Sequence, residues 1–350
     1  MLSLSSSLSR NICGNLKSKV IHQLYRRAFS SIARLGGPKV AFVGLGNMGL
    51  QMALNIAKHK DDDTHLSVYD LQESSVSTFF QRIEKIEPTL ITAASDLTSV
   101  GESNPNIVIS SLPTCEASEV VVSSIVQSLP KSEDKGCTFI DTSTIAPNIS
   151  KKLHRLVISA SPVHNYVDAP VSGGVKGATD GSLTFMVGCS SETTLERIQP
   201  ILNNMGKKVI PCGGPGSGSA VKLCNNQALA AQMLGICEAM NLGEALRVDP
   251  AVLADVMNVS TAKCWSSEVN NPHPEAAKNI GSGASVNDYE GGFGTSLMLK
   301  DLNLSVSAGE EEGLCLPIAG ISRDLYRMAC LHGYGAKDFG VLLQFLKGRK

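Results

Sequence analysis

Lys222 is the most informative cation in the chain. It stands in the run SAVKLCNNQALAAQM, which carries no other charge, and Asn226 follows four residues later. That spacing puts both side chains on one face of a helix. A single lysine is most often a solvated surface group. Buried at a domain junction, its pKa falls and it becomes usable as an acid and a base. The segment Asp168 to Gly188 reads DAPVSGGVKGATDGSLTFMVG. Its core, Ser172-Gly173-Gly174, exposes successive backbone amides and one hydroxyl, a concavity that can hold a carboxylate without a buried arginine. With no ligand to hold, the same residues make a flexible glycine loop ahead of a strand.

A second constellation lies upstream. The apolar run KVAFV leads directly into Gly44-Leu45-Gly46-Asn47-Met48-Gly49. A GxGxxG alone is weak evidence, but between a first strand and a helix it reads as a dinucleotide-binding turn. Gly44 permits the tight turn, Gly46 lets the backbone approach a pyrophosphate, and Gly49 allows close packing of helix on strand. Asp70 ends the next strand, 26 residues after Gly44. The usual interval is about 20, and the polar stretch KHKDDDTH accounts for the excess. A carboxylate there accepts hydrogen bonds from both ribose hydroxyls of NAD and repels the additional phosphate of NADP. Leu71 and Gln72 follow, with no arginine to neutralise that phosphate. Ser111-Leu112-Pro113-Thr114 and Asp141-Thr142-Ser143-Thr144 each follow a further strand, where loops face the ligand crevice of such a sheet. Either could be turn chemistry alone.

These residues need elements to position them. From Pro38 short apolar runs alternate with helical stretches: strands KVAFVG, HLSVYD, NIVISS, CTFID, YVDAP and LTFMVG, with KKVI possible, and helices near Met48–Lys58, Glu116–Gln127, Ile149–Ser159 and Ser191–Leu202. Strand–helix alternation implies a parallel, doubly wound sheet covered on both faces. The third strand is uncertain. After Gly218 no convincing strand follows. Ser219 to Arg247 reads as one helix of roughly 40 Å at 1.5 Å per residue. Asp249-Pro250 reads as an N-cap with proline at the first helical position. Thr295–Glu312, Pro317–Leu331 and Lys337–Leu346 read as helices, and Asn270–Gly292 as a long loop of the kind that is often functional. The expected fold class is an α/β Rossmann-type domain over 38–212, then an all-helical substrate and dimerisation domain over 213–350.

Composition bounds the function. The 350 residues are 43% hydrophobic and 18% charged, with a net charge of −1. Global attraction to nucleic acid or an anionic membrane is not expected, and no apolar run suggests a membrane helix. The charge is uneven. Arg10, Lys17, Lys19, Arg26, Arg27 and Arg34 precede the first acidic residue, Asp61, among many serines. Residues 1–37 therefore read as a mitochondrial or plastid transit peptide, with Arg27-Ala28-Phe29-Ser30 resembling a matrix-processing site. Without them 25 basic groups remain against 32 acidic, a net charge of −7. The ten cysteines form no C-x-x-C pair, and no Cys/His cluster has metal-ligand spacing, so no metal is expected and reduced thiols are.

The stretches FVGLGNMG, SLPT, DTSTIAP, DAPVSGGVKGATDGSLTFMVG, GPGSGSAVKLCNNQ and GGFGTSLMLKDLNL together resemble the β-hydroxyacid dehydrogenase family, most closely its mitochondrial 3-hydroxyisobutyrate-oxidising branch. They occur in the family's order and span Lys39 to Lys300. The resemblance implies NAD-dependent oxidation of a small hydroxy acid, here 3-hydroxyisobutyrate to methylmalonate semialdehyde in valine catabolism, in the mitochondrial matrix. By the same resemblance Lys222 is catalytic, Ser172, Gly173 and Gly174 hold the substrate carboxylate, and Asn226 places the substrate. Gly44 to Gly49, Asp70, Leu112 and Pro113 face the cofactor. Thr144 and Lys300 contact it or the substrate beside it, and Trp265 and Phe293 fall in pocket-forming stretches. A homodimer or homotetramer is implied, with neither nucleic acid nor membrane as partner. Cys115 stands where the family usually has an asparagine, which puts one cofactor contact in doubt. The rivals are a sister reductase of tartronate, glyoxylate or succinate semialdehyde, and a non-catalytic protein that kept the fold as a scaffold. 6-Phosphogluconate dehydrogenases are longer and pair the lysine with a histidine that Lys222-Leu-Cys-Asn-Asn lacks.

Overall fold

A computed structural model describes residues 37–83, 90–131 and 135–348. The proposed leader thus lies outside the described residues except for Gly37. The first half builds a nine-stranded sheet. Its strands are β1 (Lys39–Val43), β2 (His65–Tyr69), β3 (Ile91–Ala93), β4 (Ile107–Ser110), β5 (Thr138–Asp141), β6 (Asn165–Asp168), β7 (Val171–Ser172), β8 (Leu183–Gly188) and β9 (Gly206–Gly213). The order is β3-β2-β1-β4-β5-β6-β8, with β7 and β9 both paired to β8. The first six strands are mutually parallel. β8 departs from the expectation of parallel pairing: it runs antiparallel to β6 and β7, and only β9 lies parallel to it. The connection from β7 to β8 is too short for the crossover that a parallel pair needs.

The helices of this half are α1 (Asn47–His59), α2 (Glu73–Ile83), α3 (Leu97–Glu102), α4 (Cys115–Ser128), α5 (Pro147–Ala160), α6 (Gly174–Thr179) and α7 (Glu192–Asn203). Central strands are apolar on both faces because both faces are covered. Val40, Phe42, Leu66, Val68 and Ile109 enter one buried cluster. The alternate residues Ala41, Val43, Val108 and Phe139 enter the other. The uncertain third strand is β3, short and largely exposed at the sheet edge. Helices α2, α3 and α6 have no counterpart in the sequence reading; α3 and α6 have only six residues each, too few turns for a periodic signal.

The second half is helical: α8 (Ser217–Ala245), α9 (Pro250–Val259), α10 (Trp265–Glu268), α11 (Pro274–Ile280), α12 (Thr295–Glu311), α13 (Pro317–Ala329) and α14 (Leu342–Leu346). Ala230, Met233, Cys237 and Met240 of α8 form its core with Met298, Tyr326 and Phe339. Asp249 caps α9 through the Ala251 amide at 2.8 Å, with Pro250 at the first helical position as the sequence requires. Two expectations need correction. Asn270–Gly292 is not a continuous loop, since it holds α11 and a 3-10 turn at Ala284–Asn287. Lys337–Leu346 is not one helix. Lys337 lies in a bend, Asp338 bridges to Gly294, a 3-10 turn covers Phe339–Val341, and α14 is only five residues long. The Asp338 side chain breaks it by accepting the Gly340 and Phe293 amides.

Candidate active site

The parallel strands β1, β2, β4 and β5 deliver their following loops to one edge of the sheet. Gly44 has φ +93°, and a Cβ there would lie 2.3 Å from the Ser111 carbonyl oxygen, so only glycine lets the first loop touch the SLPT loop. A Cβ on Gly49 would lie 1.9 Å from the Gly44 carbonyl oxygen, whereas one on Gly46 would meet nothing within 4 Å. Gly46 therefore borders open space. That is the cradle a pyrophosphate needs at the start of α1. Asp70 lies just past β2; its Oδ2 accepts the Leu45 amide at 2.6 Å and its Oδ1 the Gln72 amide at 2.7 Å. The acidic group is thus tied to the glycine turn. The Leu112 amide donates to Ser143 Oγ at 2.8 Å, and Thr142 Oγ1 to the Ser110 carbonyl at 2.7 Å. These bonds join the loops after β4 and β5. Pro113 follows Leu112, and Thr114 caps α4 through the Ala117 amide at 3.2 Å. Cys115 opens α4, and its sulfur accepts the Ala146 amide at 3.5 Å; partial burial raises the thiol pKa, so it stays protonated.

The two halves meet at the start of α8. The buried carboxylate of Asp168, at the end of β6, accepts the amides of Gly216 and Ser219, each at 2.8 Å. Burial raises its pKa and those two bonds oppose the rise. Ser172, Gly173 and Gly174 follow four to six residues later, half-exposed or exposed, and both glycines have positive φ, +134° and +61°. One turn beyond Ser219 is Lys222, with 8% of its surface exposed. Its ammonium has no hydrogen-bond partner among the described residues. Burial lowers its pKa most; the Asp301 carboxylate draws it back up and the Lys300 ammonium pushes it further down.

Asp301 is the residue that the sequence reading passed over. It is 2% exposed. Its Oδ2 accepts Asn226 Nδ2 at 2.6 Å. Its Oδ1 lies 3.2 Å from the Lys300 ammonium but off the line of a hydrogen bond, and so has no hydrogen-bond partner. Lys300 reaches across to the Thr144 carbonyl at 2.8 Å. One polar chain therefore runs from Asn226 through Asp301 and Lys300 to Thr144, from the helical half to the cofactor edge of the sheet. The available signal was Asp301's place beside Lys300 in LMLKDLNL, an acid within an apolar helical face. Trp265 and Phe293 lie apart from this chain, both packed on Phe339 with ring centroids 6.3 and 6.0 Å away.

A parallel sheet with a glycine turn, an acid after β2 and a buried lysine at the head of a long helix defines an NAD-binding oxidoreductase. Comparisons agree. A family model described as the NAD binding domain of 6-phosphogluconate dehydrogenase matches residues 39–214. Another, described as NAD-binding of NADP-dependent 3-hydroxyisobutyrate dehydrogenase, matches residues 216–346. The mitochondrial 3-hydroxyisobutyrate dehydrogenase of Homo sapiens is 39% identical over 88% of this chain and 86% of its own. An NAD-dependent L-serine dehydrogenase of Pseudomonas aeruginosa is 35% identical over 87% of this chain and 96% of its own. The solved Mycobacterium tuberculosis 3-hydroxyisobutyrate dehydrogenase with L-serine has a TM-score of 0.78 at 32% identity, covering 89% of this chain and 99% of that one. The chain belongs to the β-hydroxyacid dehydrogenase family. Among the described residues no helix is long and apolar enough to cross a membrane.

Proposed function

We propose that the chain oxidises 3-hydroxyisobutyrate to methylmalonate semialdehyde, with Lys222 as the proton acceptor. The observation that carries this reading is the buried Lys222 side chain, whose ammonium has no hydrogen-bond partner among the described residues and feels the Asp301 carboxylate that holds Asn226. Residues 38–212 would hold the cofactor and 213–350 complete the substrate site. Bound along Gly44, Leu45, Gly46, Asn47, Met48, Gly49, Asp70, Leu112, Pro113, Thr144 and Lys300, NAD supplies the hydride acceptor. The amides of Gly173 and Gly174 and the Ser172 hydroxyl hold the substrate carboxylate, which fixes the alcohol carbon. Asn226, its Nδ2 committed to Asp301, orients the substrate hydroxyl. Neutral Lys222 Nζ takes the hydroxyl proton as oxidation proceeds. In the reverse direction its ammonium returns that proton to the aldehyde oxygen. Lowering the lysine pKa by burial is what makes the neutral amine accessible.

Two further readings stand beside this one. L-serine carries an ammonium where 3-hydroxyisobutyrate carries a methyl, and the Pseudomonas relative is named for that substrate. A semialdehyde reductase would use the same proton path backwards. The deciding experiment assays purified protein on 3-hydroxyisobutyrate, L-serine, 3-hydroxypropionate and the tartronate, glyoxylate and succinate semialdehyde couples, with NAD and NADP. The proposal fails if another acid exceeds 3-hydroxyisobutyrate in kcat/KM. Placement in the mitochondrial matrix is supported by the basic leader and the named mitochondrial relatives; a mature N-terminus near Ser30 by mass spectrometry tests it, and an intact Met1 in cytosolic protein overturns it. A homodimer or homotetramer is supported by the exposed row Ile318, Ile321 and Met328 on α13, and light scattering at one subunit mass would refute it.

A further inference from the structure

Tyr166, Ser150 and Ser219 carry three buried hydroxyls that the proton path does not use. Asp141 and Asp168 end the adjacent strands β5 and β6 in register. Their side chains therefore lie side by side on one face of the sheet. Tyr166 stands two residues before Asp168 and shares that face. Its hydroxyl donates to Asp141 Oδ2 at 3.2 Å. Burial raises the Tyr166 pKa most, the Asp141 and Asp168 charges raise it further, and a hydrogen bond from the Ser150 side chain opposes the rise. Ser150, on α5, has its Oγ 2.8 Å from Ser219 Oγ on α8. A row of hydrogen bonds thus runs from Asp141 through Tyr166 and Ser150 to Ser219. Three hydroxyl protons, each passed toward Asp141, satisfy its three contacts. The Ser219 amide ends the row on Asp168 at 2.8 Å.

Both ends of the row enter the candidate site. Asp141 Oδ1 accepts the Ser143 amide at 3.0 Å. The next residue, Thr144, takes Lys300 Nζ on its carbonyl at 2.8 Å. At the other end Ser219 precedes Lys222 by three residues and Asn226 by seven, so all three occupy one buried face of α8. Asn226 returns to Thr144 by a second route, through Asp301 at 2.6 Å and Lys300 at 3.2 Å from it. Helix α8 is therefore tied to the loop after β5 twice, once on each side of Lys222. Its head has no slack. A Cβ on Gly218 would lie 2.2 Å from the Met186 carbonyl oxygen and 2.8 Å from that of Asp168.

We infer that Tyr166 and Ser150 are positioning residues for Lys222: their hydroxyls hold the head of α8 at a fixed place against the loop after β5, and so hold the proton acceptor in register with the cofactor edge of the sheet. The inference rests on the reading of Lys222 as that acceptor. The two ties differ in kind. The one through Asp301 and Lys300 also sets the charge on Lys222. The hydroxyls are neutral and set its place alone. Losing the charged tie moves the pH dependence of turnover, whereas losing the hydroxyl row leaves that dependence where it is and slows the transfer step.

The test compares wild type, Tyr166→Phe, Ser150→Ala and their double variant, with Val157→Ala as control. Val157 is a fully buried apolar residue of α5, so its truncation loosens that helix without touching the row. Stopped-flow NADH formation in a single turnover, at saturating NAD and with the hydroxy acid that wild type oxidises fastest, reads the transfer step directly. Misplacing a reacting group by about 1 Å costs on the order of a hundredfold, so each single variant should slow this step by about ten- to a hundredfold. The rising limb of its pH profile should stay in place. NAD affinity should hold too, because the loop after β5 keeps its bonds to the SLPT loop. The double variant should be no slower than the slower single one, since both changes break one row. In cofactor-free protein, amide hydrogen exchange over residues 214–223 should quicken in both single variants and in β1 should not. Val157→Ala should lose stability and keep the transfer rate. A folded Tyr166→Phe within about threefold of the wild-type rate, far short of that range, overturns the inference. So does an equal loss in Val157→Ala, a shifted rising limb, unchanged exchange at the head of α8, or losses that multiply in the double variant. Should Tyr166→Phe not fold, Ser150→Ala is judged by the same outcomes, and failure of both to fold overturns the inference. Normal turnover in Lys222→Met defeats the reading of the lysine beneath it, and is told apart because the exchange rates of Tyr166→Phe do not depend on that result.

Discussion

Replacing Lys222 by methionine should abolish turnover without destabilising the fold. Methionine nearly preserves the buried volume, and Lys222 has no hydrogen bond to lose. Removing a positioned acid/base group typically lowers turnover by about 100- to 10,000-fold, or roughly 3–5.5 kcal/mol of barrier. Stability should move the other way. Lys222, 8% exposed as a residue, gives up much of its hydration with no hydrogen bond in return and only the Asp301 charge to offset it, and neutral replacement of buried charge is often neutral or stabilising. Asp301 keeps Asn226 at 2.6 Å and Lys300 at 3.2 Å, so it is not stranded. Linkage fixes the pH dependence. The folded Lys222 pKa lies below its ordinary 10.5, so between those two values the unfolded chain binds the additional proton and wild-type stability rises with pH. Lys222→Met lacks this contribution. Its Tm advantage should be greatest below the folded pKa and shrink as pH approaches 10.5. Calorimetry across that range, paired with stopped-flow turnover and NAD titration, checks all three points. A folded variant that binds NAD and turns over within about threefold of wild type, far short of the acid/base range, would refute the proton role. A Tm several degrees lower at neutral pH would refute the argument about its burial.

Other substitutions separate the parts of the site. Asp301→Asn removes the charge that raises the Lys222 pKa, so the rising limb of the oxidation pH profile should move to lower pH; a move upward contradicts the electrostatics. Gly46→Val should leave Tm nearly unchanged, because its side chain enters open space, yet weaken NAD binding at least tenfold by blocking the approach that a close-packed site requires. Gly49→Ala should instead lose about 1–3 kcal/mol of stability through overpacking, since its Cβ would sit 1.9 Å from a backbone oxygen; equal stability of the two variants would overturn this division. Asp70→Ser with Leu71→Arg, at a position 84% exposed, should shift the NAD/NADP ratio of kcat/KM toward NADP by about ten- to a hundredfold at an effective dielectric near 20. A wild type that prefers NADP would remove the basis for that shift.

The sequence carried the cofactor half well because its signals are local. The turn from Gly44 to Gly49 needs three glycines at fixed offsets for backbone reasons, and those reasons appear in the structure as a positive φ, an open approach and a crowded crossing. The cap Asp249-Pro250 is equally local. The second half was less legible where order comes from contacts distant in sequence. Asn270–Gly292 reads as loop because Asn, Pro and Gly dominate it. Its α11 is only seven residues long and is held by packing against its neighbours, not by its own periodicity. Lys337–Leu346 has apolar spacing suited to a helix, but the Asp338 side chain takes the Gly340 and Phe293 amides, and local carboxylate–amide bonds of this kind compete with helical ones.

The same contrast governs the site. Lys222 and Asn226 share one helix, so their partnership follows from a spacing of four residues. Asp301 meets Asn226 across 75 residues of sequence, and Lys300 meets Thr144 across 156. No periodicity encodes either contact. What sequence offers at Lys300-Asp301 is an adjacent opposite-charge pair on a mostly apolar helix, which is ordinary surface chemistry unless both are buried. Burial changes its meaning. With Asp301 at 2% exposure, its charge is neither screened nor hydrated, so it must be balanced by Lys300 and Lys222 together. With Lys222 protonated these three charges leave a net positive site, suited to an anionic substrate; with Lys222 neutral, Asp301 and Lys300 cancel. Moving Lys300 away would leave Asp301 to pair with Lys222 alone, raise the Lys222 pKa and hold it protonated. The contact of Lys300 with the Thr144 carbonyl, at the cofactor edge, therefore links the geometry of the dinucleotide half to the protonation of the lysine in the helical half.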